Sequence, residues 1–248
     1  MQVYHEKSLN LEYHDNPNYY VAYHNNYTKG IVFFLHGGPV YRYFNRYDNC
    51  IDKMLKNGFI VVLVNYSGSA GYGKDYVKQL FHKGGTIDLQ DVVSVYNMVS
   101  ARWPKSNKYF IGDSYGAYLV LRLCFIENVS ANHFYATNTF TDLRYQLLFS
   151  TESQLIKRYF QTEDIRLIEE YNPIDIANKK AKNLSQILTI INGKNDRACP
   201  FFQIEEYKRA TQCKVVSIED YPHFKVISKE NSFISEYILK DILRHEGS

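Results

Sequence analysis

The sequence predicts an α/β protein with a mostly parallel, doubly wound sheet, and three observations support that fold class. Residues 31–35 and 59–64 are continuous apolar runs rich in β-branched side chains, as expected for strands that are covered on both faces. Apolar residues then recur with a 3.6-residue period over residues 89–99, which predicts an amphipathic helix. Strand and helix patterns continue to alternate towards the C-terminus, and this alternation is typical of parallel sheets.

The remaining elements follow in chain order. Thr86 is the expected N-cap of the helix over 89–99. Residues 1–29 precede the parallel sheet, and the alternation at 19–23 predicts an antiparallel edge hairpin. We expect one domain over residues 1–248, because no linker, repeat or low-complexity segment interrupts the pattern. Further strands are expected at residues 109–111, 133–136, 187–191 and 214–218.

Composition and charge exclude several classes of protein. The 248 residues are 45% hydrophobic and 22% charged, as in ordinary globular proteins, and the net charge of +3 comes from scattered side chains. A nucleic-acid partner is therefore not expected. There is no apolar run of eighteen residues and no signal-peptide pattern at the N-terminus, so we expect a cytoplasmic protein without a membrane partner. The four cysteines lie far apart, which predicts free thiols and no metal site.

The segment Gly112-Asp113-Ser114-Tyr115-Gly116 stands between a predicted strand and a helical run at residues 117–125. This G-x-S-x-G pattern in that context is typical of the nucleophile elbow of the α/β-hydrolase fold. The turn is so sharp that glycine is needed two positions before and after the serine. The same pattern can also arise as a plain strand-turn-helix junction, so the prediction of Ser114 as nucleophile needs partner residues.

Two backbone amides are predicted to form an oxyanion hole. The Tyr115 N–H lies at the start of the helix that follows Ser114, where unpaired amides favour negative charge. The Gly38 N–H belongs to His36-Gly37-Gly38-Pro39, which directly follows the strand at 31–35. The alternative is that these glycines only let the chain leave the strand.

A serine nucleophile needs a histidine to take its proton and a carboxylate to orient that histidine. In the α/β-hydrolase fold these residues follow in the order serine, acid, histidine. Asp196 comes after the strand at 187–191, which places it at the edge of the sheet that carries Ser114, whereas its rivals Asp164 and Asp175 follow no strand. His223 is the predicted general base, since only His245 also lies downstream of Asp196.

The other histidines are given structural or surface roles. His36 is expected to shape the oxyanion loop. Most single histidines in proteins are not catalytic, and the remaining five fit that majority. They are His5, His14, His24, His82 and His133.

Three ordered segments together carry a family resemblance: His36-Gly37-Gly38-Pro39, residues 65–73 (NYSGSAGYG) and residues 112–116 (GDSYG). With Asp196 and His223 they resemble the catalytic domain of prolyl oligopeptidase family serine peptidases, in particular the acylaminoacyl-peptidase and dipeptidyl-peptidase branches. The resemblance runs from about residue 31 to about residue 245. It implies the α/β-hydrolase fold and the triad of Ser114, Asp196 and His223.

The resemblance further implies that Phe140, Leu143 and Tyr145 line a hydrophobic substrate pocket, although these residues could equally be core side chains at helical spacing. Ser67 stands where the family usually has arginine. Family peptidases also carry an N-terminal β-propeller, whereas some thirty residues precede the predicted sheet here. We therefore expect the catalytic fold without a propeller, and substrate selection cannot be inherited from the family.

The predicted function is hydrolysis of a peptide, amide or ester bond through an acyl-enzyme on Ser114. The substrate is expected to be a small peptide or an acylated small molecule, and no metal or cofactor is implied. A carboxylesterase, a thioesterase or a cyclising tailoring enzyme on the same triad is the alternative. A hydrolase-fold binding protein is a remote one, because such proteins usually lose a triad member. A homodimer is expected by analogy with the family.

Overall fold

A computed structural model of the chain describes residues 9–27, 29–44, 48–161, 164–223 and 232–247. His5 lies outside these residues. Eight strands form one sheet in the order β1-β2-β4-β3-β5-β6-β7-β8. The strands are β1 Leu9–His14, β2 Asn18–His24, β3 Ile31–Leu35, β4 Ile60–Asn65, β5 Lys108–Asp113, β6 His133–Thr137, β7 Leu188–Gly193 and β8 Lys214–Ile218.

The sheet is parallel from β4 through β8, and only the N-terminal hairpin runs the other way. Strand β2 pairs antiparallel with both β1 and β4, whereas β3, β5, β6, β7 and β8 pair in parallel with their neighbours. The prediction of a mostly parallel, doubly wound sheet with an antiparallel edge hairpin is therefore confirmed. The described residues contain no propeller.

Helices cover both faces of the sheet. Helices α3, α4, α8 and α9 pack on one face in the larger core cluster, and α1 and α10 pack on the other face. The helices are α1 Asn49–Lys56, α2 Lys74–Lys78, α3 Ile87–Arg102, α4 Tyr115–Leu123, α5 Leu143–Phe149, α6 Ser153–Tyr159, α7 Ile165–Tyr171, α8 Pro173–Lys180, α9 Phe202–Thr211 and α10 Ser232–Glu246. No helix among the described residues combines the length and apolar character that crossing a membrane requires.

Helix α3 corrects one local expectation. Thr86 does occupy the N-cap position, but its side chain makes no capping hydrogen bond. Its hydroxyl donates instead to the Lys83 carbonyl at 2.5 Å. The buried Asp88 carboxylate accepts from the Gly85 and Leu89 amides. A carboxylate inside the first turn thus takes over the role that the sequence assigned to the threonine.

Candidate active site

Ser114 stands between the last residue of β5 and the first residue of α4, with φ 53° and ψ −114°. A positive φ at a non-glycine residue costs roughly 1–3 kcal/mol, so the surrounding structure must hold this turn. A Cβ on Gly112 would lie 2.4 Å from the Gly116 carbonyl oxygen, and a Cβ on Gly116 would lie 2.2 Å from the Leu35 carbonyl oxygen. Glycine is therefore required on both sides of Ser114, as the motif predicts.

The serine is held from two neighbouring strands. Its amide donates to the Thr137 carbonyl at 2.9 Å, at the end of β6. Gly37, just beyond β3, passes so close that a Cβ there would lie 3.2 Å from the Ser114 Cβ. The Ser114 side chain also hydrogen-bonds the Cys199 thiol. The nucleophile elbow thus lies at the carboxyl edge of the sheet, where β3, β5 and β6 end together.

Asp196 and His223 meet at this same edge. His223 Nδ1 lies 2.7 Å from Asp196 Oδ2, and the other carboxylate oxygen accepts from the Ala198 and Cys199 amides at 2.9 and 2.8 Å. Asp196 is buried, whereas the His223 side chain is 32% exposed. The carboxylate is therefore fixed by backbone amides and can hold the imidazole in one orientation.

The surroundings of His223 favour its protonated form. Burial alone lowers the pKa of the imidazole, but the hydrogen bond and charge of Asp196, with smaller contributions from Asp113 and Glu152, outweigh burial and raise the pKa above the ordinary histidine value. A base whose cationic form is stabilised in this way can accept a proton from a nearby hydroxyl as the reaction proceeds.

The two predicted oxyanion donors lie beside Ser114. The Tyr115 amide is the first of α4, and the first amides of a helix have no acceptor within it. The Tyr115 ring is buried, and its hydroxyl donates to Asp88 at 2.7 Å. Gly38 has φ 123°, a conformation that side-chain-bearing residues rarely adopt. Both residues border the same cavity as Ser114 and His223.

His36 fixes the start of the Gly37-Gly38 loop. Its Nε2 lies 2.8 Å from the Ser69 hydroxyl, and the Tyr66 ring stacks on it with centroids 4.3 Å apart. The Tyr66 hydroxyl also donates to the His36 carbonyl at 2.5 Å. Burial lowers the pKa of His36 to about 4, so the ring is neutral near pH 7. These contacts agree with the predicted role of His36 in shaping the loop.

Cys199 is a neighbour of this site that the sequence did not single out. Ligand atoms of Asp196, Cys199 and His223 lie within 4.8 Å of one another, a spacing that could hold a metal ion. Burial, with the nearby charges of Asp196 and Asp113, raises the pKa of the Cys199 thiol well above its usual range. A protonated thiol is a poor metal ligand, and Asp196 is already committed to His223 and two amides. The arrangement therefore favours proton transfer over metal binding.

The cavity above Ser114 has a volume of about 690 Å³, and Phe140, Leu155 and Ile156 form an apolar part of its wall. Of the three residues that the resemblance assigned to a substrate pocket, Phe140 therefore borders this cavity. Leu143 and Tyr145 do not border the described part of the cavity, and this corrects their expected placement. Leu143 is buried in the core as the first residue of α5. Tyr145 lies on the outer face of that helix, near Phe149 and Phe202.

The rival acids serve other purposes. Asp164 caps α7 by accepting from the Arg166 amide, and Asp175 pairs with Arg144 at 2.9 Å. Asp88 and Cys199 were both missed from the sequence. The D-x-x-C spacing of Asp196 and Cys199 places the thiol on the same turn as the acid, and this was the available signal for Cys199. Asp88 had none, because its contact with Tyr115 joins residues 27 positions apart.

Comparison with known proteins agrees with the fold and the motifs. A model of the prolyl oligopeptidase family matches residues 46–230. An uncharacterized peptidase, YuxL, of Bacillus subtilis is 25% identical over 79% of the chain, and the acylamino-acid-releasing enzyme of Mus musculus is 26% identical over 76%. The matched regions amount to 31% and 27% of those two relatives, so the chain spans about a third of their length.

Solved structures give the same fold. An acylaminoacyl peptidase from Pyrococcus horikoshii superimposes with a TM-score of 0.81 at 16% identity, covering 97% of this chain and 42% of that one. A puromycin hydrolase superimposes with a TM-score of 0.80 at 18% identity, covering 93% and 37%. Both similarities show only that this chain has the α/β-hydrolase fold.

Proposed function

The chain belongs to the prolyl oligopeptidase family, and from that premise we propose that it is a serine peptidase that hydrolyses small or modified peptides through an acyl-enzyme on Ser114. The observation that carries the proposal is the 2.7 Å contact between His223 and the buried carboxylate of Asp196, in one cavity with a serine on a strained elbow. The Asp196 carboxylate is itself fixed by two backbone amides, which supports its role in orienting His223.

In the proposed mechanism, the Ser114 hydroxyl attacks the carbonyl carbon of the scissile bond while His223 accepts the hydroxyl proton. The negative charge that develops on the carbonyl oxygen is stabilised by the Tyr115 and Gly38 amides, each worth about 3 kcal/mol of the barrier. The carbon–nitrogen bond then breaks as His223 donates its proton to the leaving amine. Water, deprotonated by His223, attacks the acyl group and releases Ser114.

The apolar wall of the cavity supports an uncharged, hydrophobic residue on the acyl side of the scissile bond. Phe140, Leu155 and Ile156 supply that wall, and burying an apolar side chain there contributes about 25 cal/mol per Å² of surface removed from water. Relatives named acylamino-acid-releasing enzymes support a peptide whose amino end is modified.

Reaction with a fluorophosphonate probe tests the proposal. We expect wild type to be labelled, Ser114→Ala and His223→Ala to lose labelling, and Ser94→Ala to keep it, since Ser94 is an exposed serine on α3. Well-folded wild-type protein that stays unlabelled would contradict an activated Ser114. If Ser114→Ala were labelled as strongly as wild type, the nucleophile would be another residue.

Substrate class is tested separately on p-nitroanilides and p-nitrophenyl esters of phenylalanine, each with a free and an acetylated amino group. Turnover of the anilides would support peptidase activity. Faster turnover of the acetylated anilide than of the anilide with a free amino group would support modified peptides as substrates. Activity confined to the esters would instead support the carboxylesterase that the sequence left open.

The wider organisation of the protein also forms part of the proposal. A single domain over residues 1–248 is supported by the one sheet that its described strands form. Four buried free cysteines support a cytoplasmic location, where thiols stay reduced. A homodimer rests on family analogy, and light scattering of the purified chain would test it.

A further inference from the structure

We propose that His133, Asp241 and His245 form a binding site for a divalent transition-metal ion, with zinc as the best fit. His133 is the first residue of β6, and the other two residues lie on α10. In β5, the residue that pairs with His133 is Tyr109, five residues before Ser114. Five strand residues span about 16 Å, so the proposed site lies at the amino edge of the sheet, away from the candidate active site.

The three side chains converge from two elements. Asp241 and His245 are four residues apart on α10 and therefore share one helix face. His245 Nε2 lies 3.9 Å from Asp241 Oδ2, and one ligand atom from each of the three residues lies within 4.8 Å of the others. Ligands bound to zinc at about 2.0–2.2 Å are roughly 3.5 Å apart, so the side chains need to close by about an ångström.

His133 carries the independent evidence for a missing ligand. The residue is only 4% exposed. Its Nε2 lies 2.8 Å from the Thr189 hydroxyl, whereas its Nδ1 is buried without a hydrogen-bond partner. The Gln186 backbone carbonyl lies near the ring, but Nδ1 forms no hydrogen bond of ordinary geometry with a described residue. Buried polar atoms are rarely left unpaired, so Nδ1 is the atom available to an ion.

The surroundings of Asp241 also fit a metal ligand. The Tyr135 hydroxyl donates to Asp241 Oδ2 at 2.9 Å. Such a second hydrogen bond commonly orients a ligating carboxylate. The rings of His133 and His245 stack with centroids 5.0 Å apart.

Two cations stand near the proposed site. Lys214 Nζ and Arg244 Nη1 each lie 3.9 Å from Asp241 Oδ1. Both side chains are largely exposed, so they can swing into solvent when an ion binds. His245 is 37% exposed and leaves a path from solvent. Two imidazoles and one carboxylate are a donor set that suits zinc better than magnesium or calcium, which prefer oxygen ligands.

Calorimetric titration of the chelator-treated chain with zinc tests the proposal, and the visible absorption of cobalt(II) serves as a second readout. We expect one zinc ion per chain and a rise in Tm of about 5–10 °C at a zinc concentration near 100 times Kd. His245→Ala and Asp241→Asn change residues at the rim of the core and should weaken zinc binding by more than about 100-fold. His82→Asn is the matched control, because it removes an exposed histidine elsewhere.

Two outcomes would overturn the proposal. The first is that wild type binds neither zinc nor cobalt, and the second is that His245→Ala binds as tightly as wild type. Loss of binding in His223→Ala but not in His245→Ala would assign the ion to the group of Asp196, Cys199 and His223 instead. Fluorophosphonate labelling of His245→Ala at the wild-type rate would show that this variant is folded, so that its loss of zinc binding counts as evidence.

Discussion

A histidine and an aspartate lie together at each of the two edges of the sheet, but the pKa of the histidine is shifted in opposite directions at the two edges. At the carboxyl edge, His223 bonds directly to Asp196 at 2.7 Å, and its pKa is raised against the effect of burial. At the amino edge, His133 bonds to the Thr189 hydroxyl, and burial lowers its pKa to about 4 despite the nearby Asp241. At the carboxyl edge the hydrogen bond and charge of Asp196 outweigh burial, whereas at the amino edge burial and the neighbouring His245 outweigh the charge of Asp241.

Replacing the Asp196 carboxylate is expected to have the largest effect on activity. We expect Asp196→Asn to lower kcat/KM by about 10⁴-fold, because the amide leaves the fold intact but holds His223 in the wrong tautomer. Steady-state kinetics on the best anilide substrate would measure the loss. Asp175→Asn is the control, since Asp175 was a rival acid and pairs with Arg144. Equal losses in both variants would make the effect structural.

His36 tests the second case, in which burial keeps an imidazole ring neutral. Its pKa is about 4 in the fold and 6.5 without burial. Because the buried ring stays neutral while the unfolded chain takes up a proton, the free energy of unfolding falls as the pH falls from 6.5 towards 4. The contribution is complete above pH 6.5, and about 3 kcal/mol is lost in all.

Urea unfolding at pH 7 and pH 4.5 would measure this contribution. His36→Gln, which cannot titrate, should lose less unfolding free energy than wild type over that interval. Parallel losses in the two proteins would show that other groups cause the acid sensitivity.

The smallest expected effect concerns the charges around His223. Because the general base must be unprotonated in the free enzyme, kcat/KM should rise with pH through the pKa of His223, above the ordinary histidine value. Glu152→Gln removes a charge that helps to raise this pKa, so the acid limb of the profile should move to lower pH. If the acid limb of Glu152→Gln moved to higher pH, Glu152 would not be a residue that raises the pKa of His223. The same would follow if this limb stayed unchanged while that of Asp113→Asn moved to lower pH.

Most of the fold could be read from the sequence because its signals are local. Residues 31–35 and 214–218 were predicted as strands with the bounds that the structure gives, since continuous β-branched runs have no competing helical period. The glycines around Ser114 were also readable from the motif, because Gly112 approaches the Gly116 carbonyl within the turn itself, although the approach of Gly116 to the Leu35 carbonyl joins α4 to β3.

Side-chain placement beyond these motifs was less predictable. Phe140 lies in the loop before α5 and borders the cavity, whereas Tyr145 lies on the outer face of α5. Spacing along a helix indicates which residues share a face, but the packing of that helix on the sheet decides which face meets the cavity. Thr86 likewise occupies the N-cap position without a side-chain cap, and the Leu89 amide of the first turn bonds the Asp88 carboxylate instead.

The sequence by itself determined the α/β-hydrolase fold and predicted the elbow at Ser114 with Asp196 and His223 as its partners, because each of these residues follows a strand in a fixed order. Only the tertiary structure placed Cys199 against Ser114 and gathered His133 with Asp241 and His245. His133 is separated from Asp241 and His245 by more than a hundred residues, and it resembled any other histidine on a strand. Contacts of that kind arise when helices pack across a sheet, and no local pattern in the chain records them.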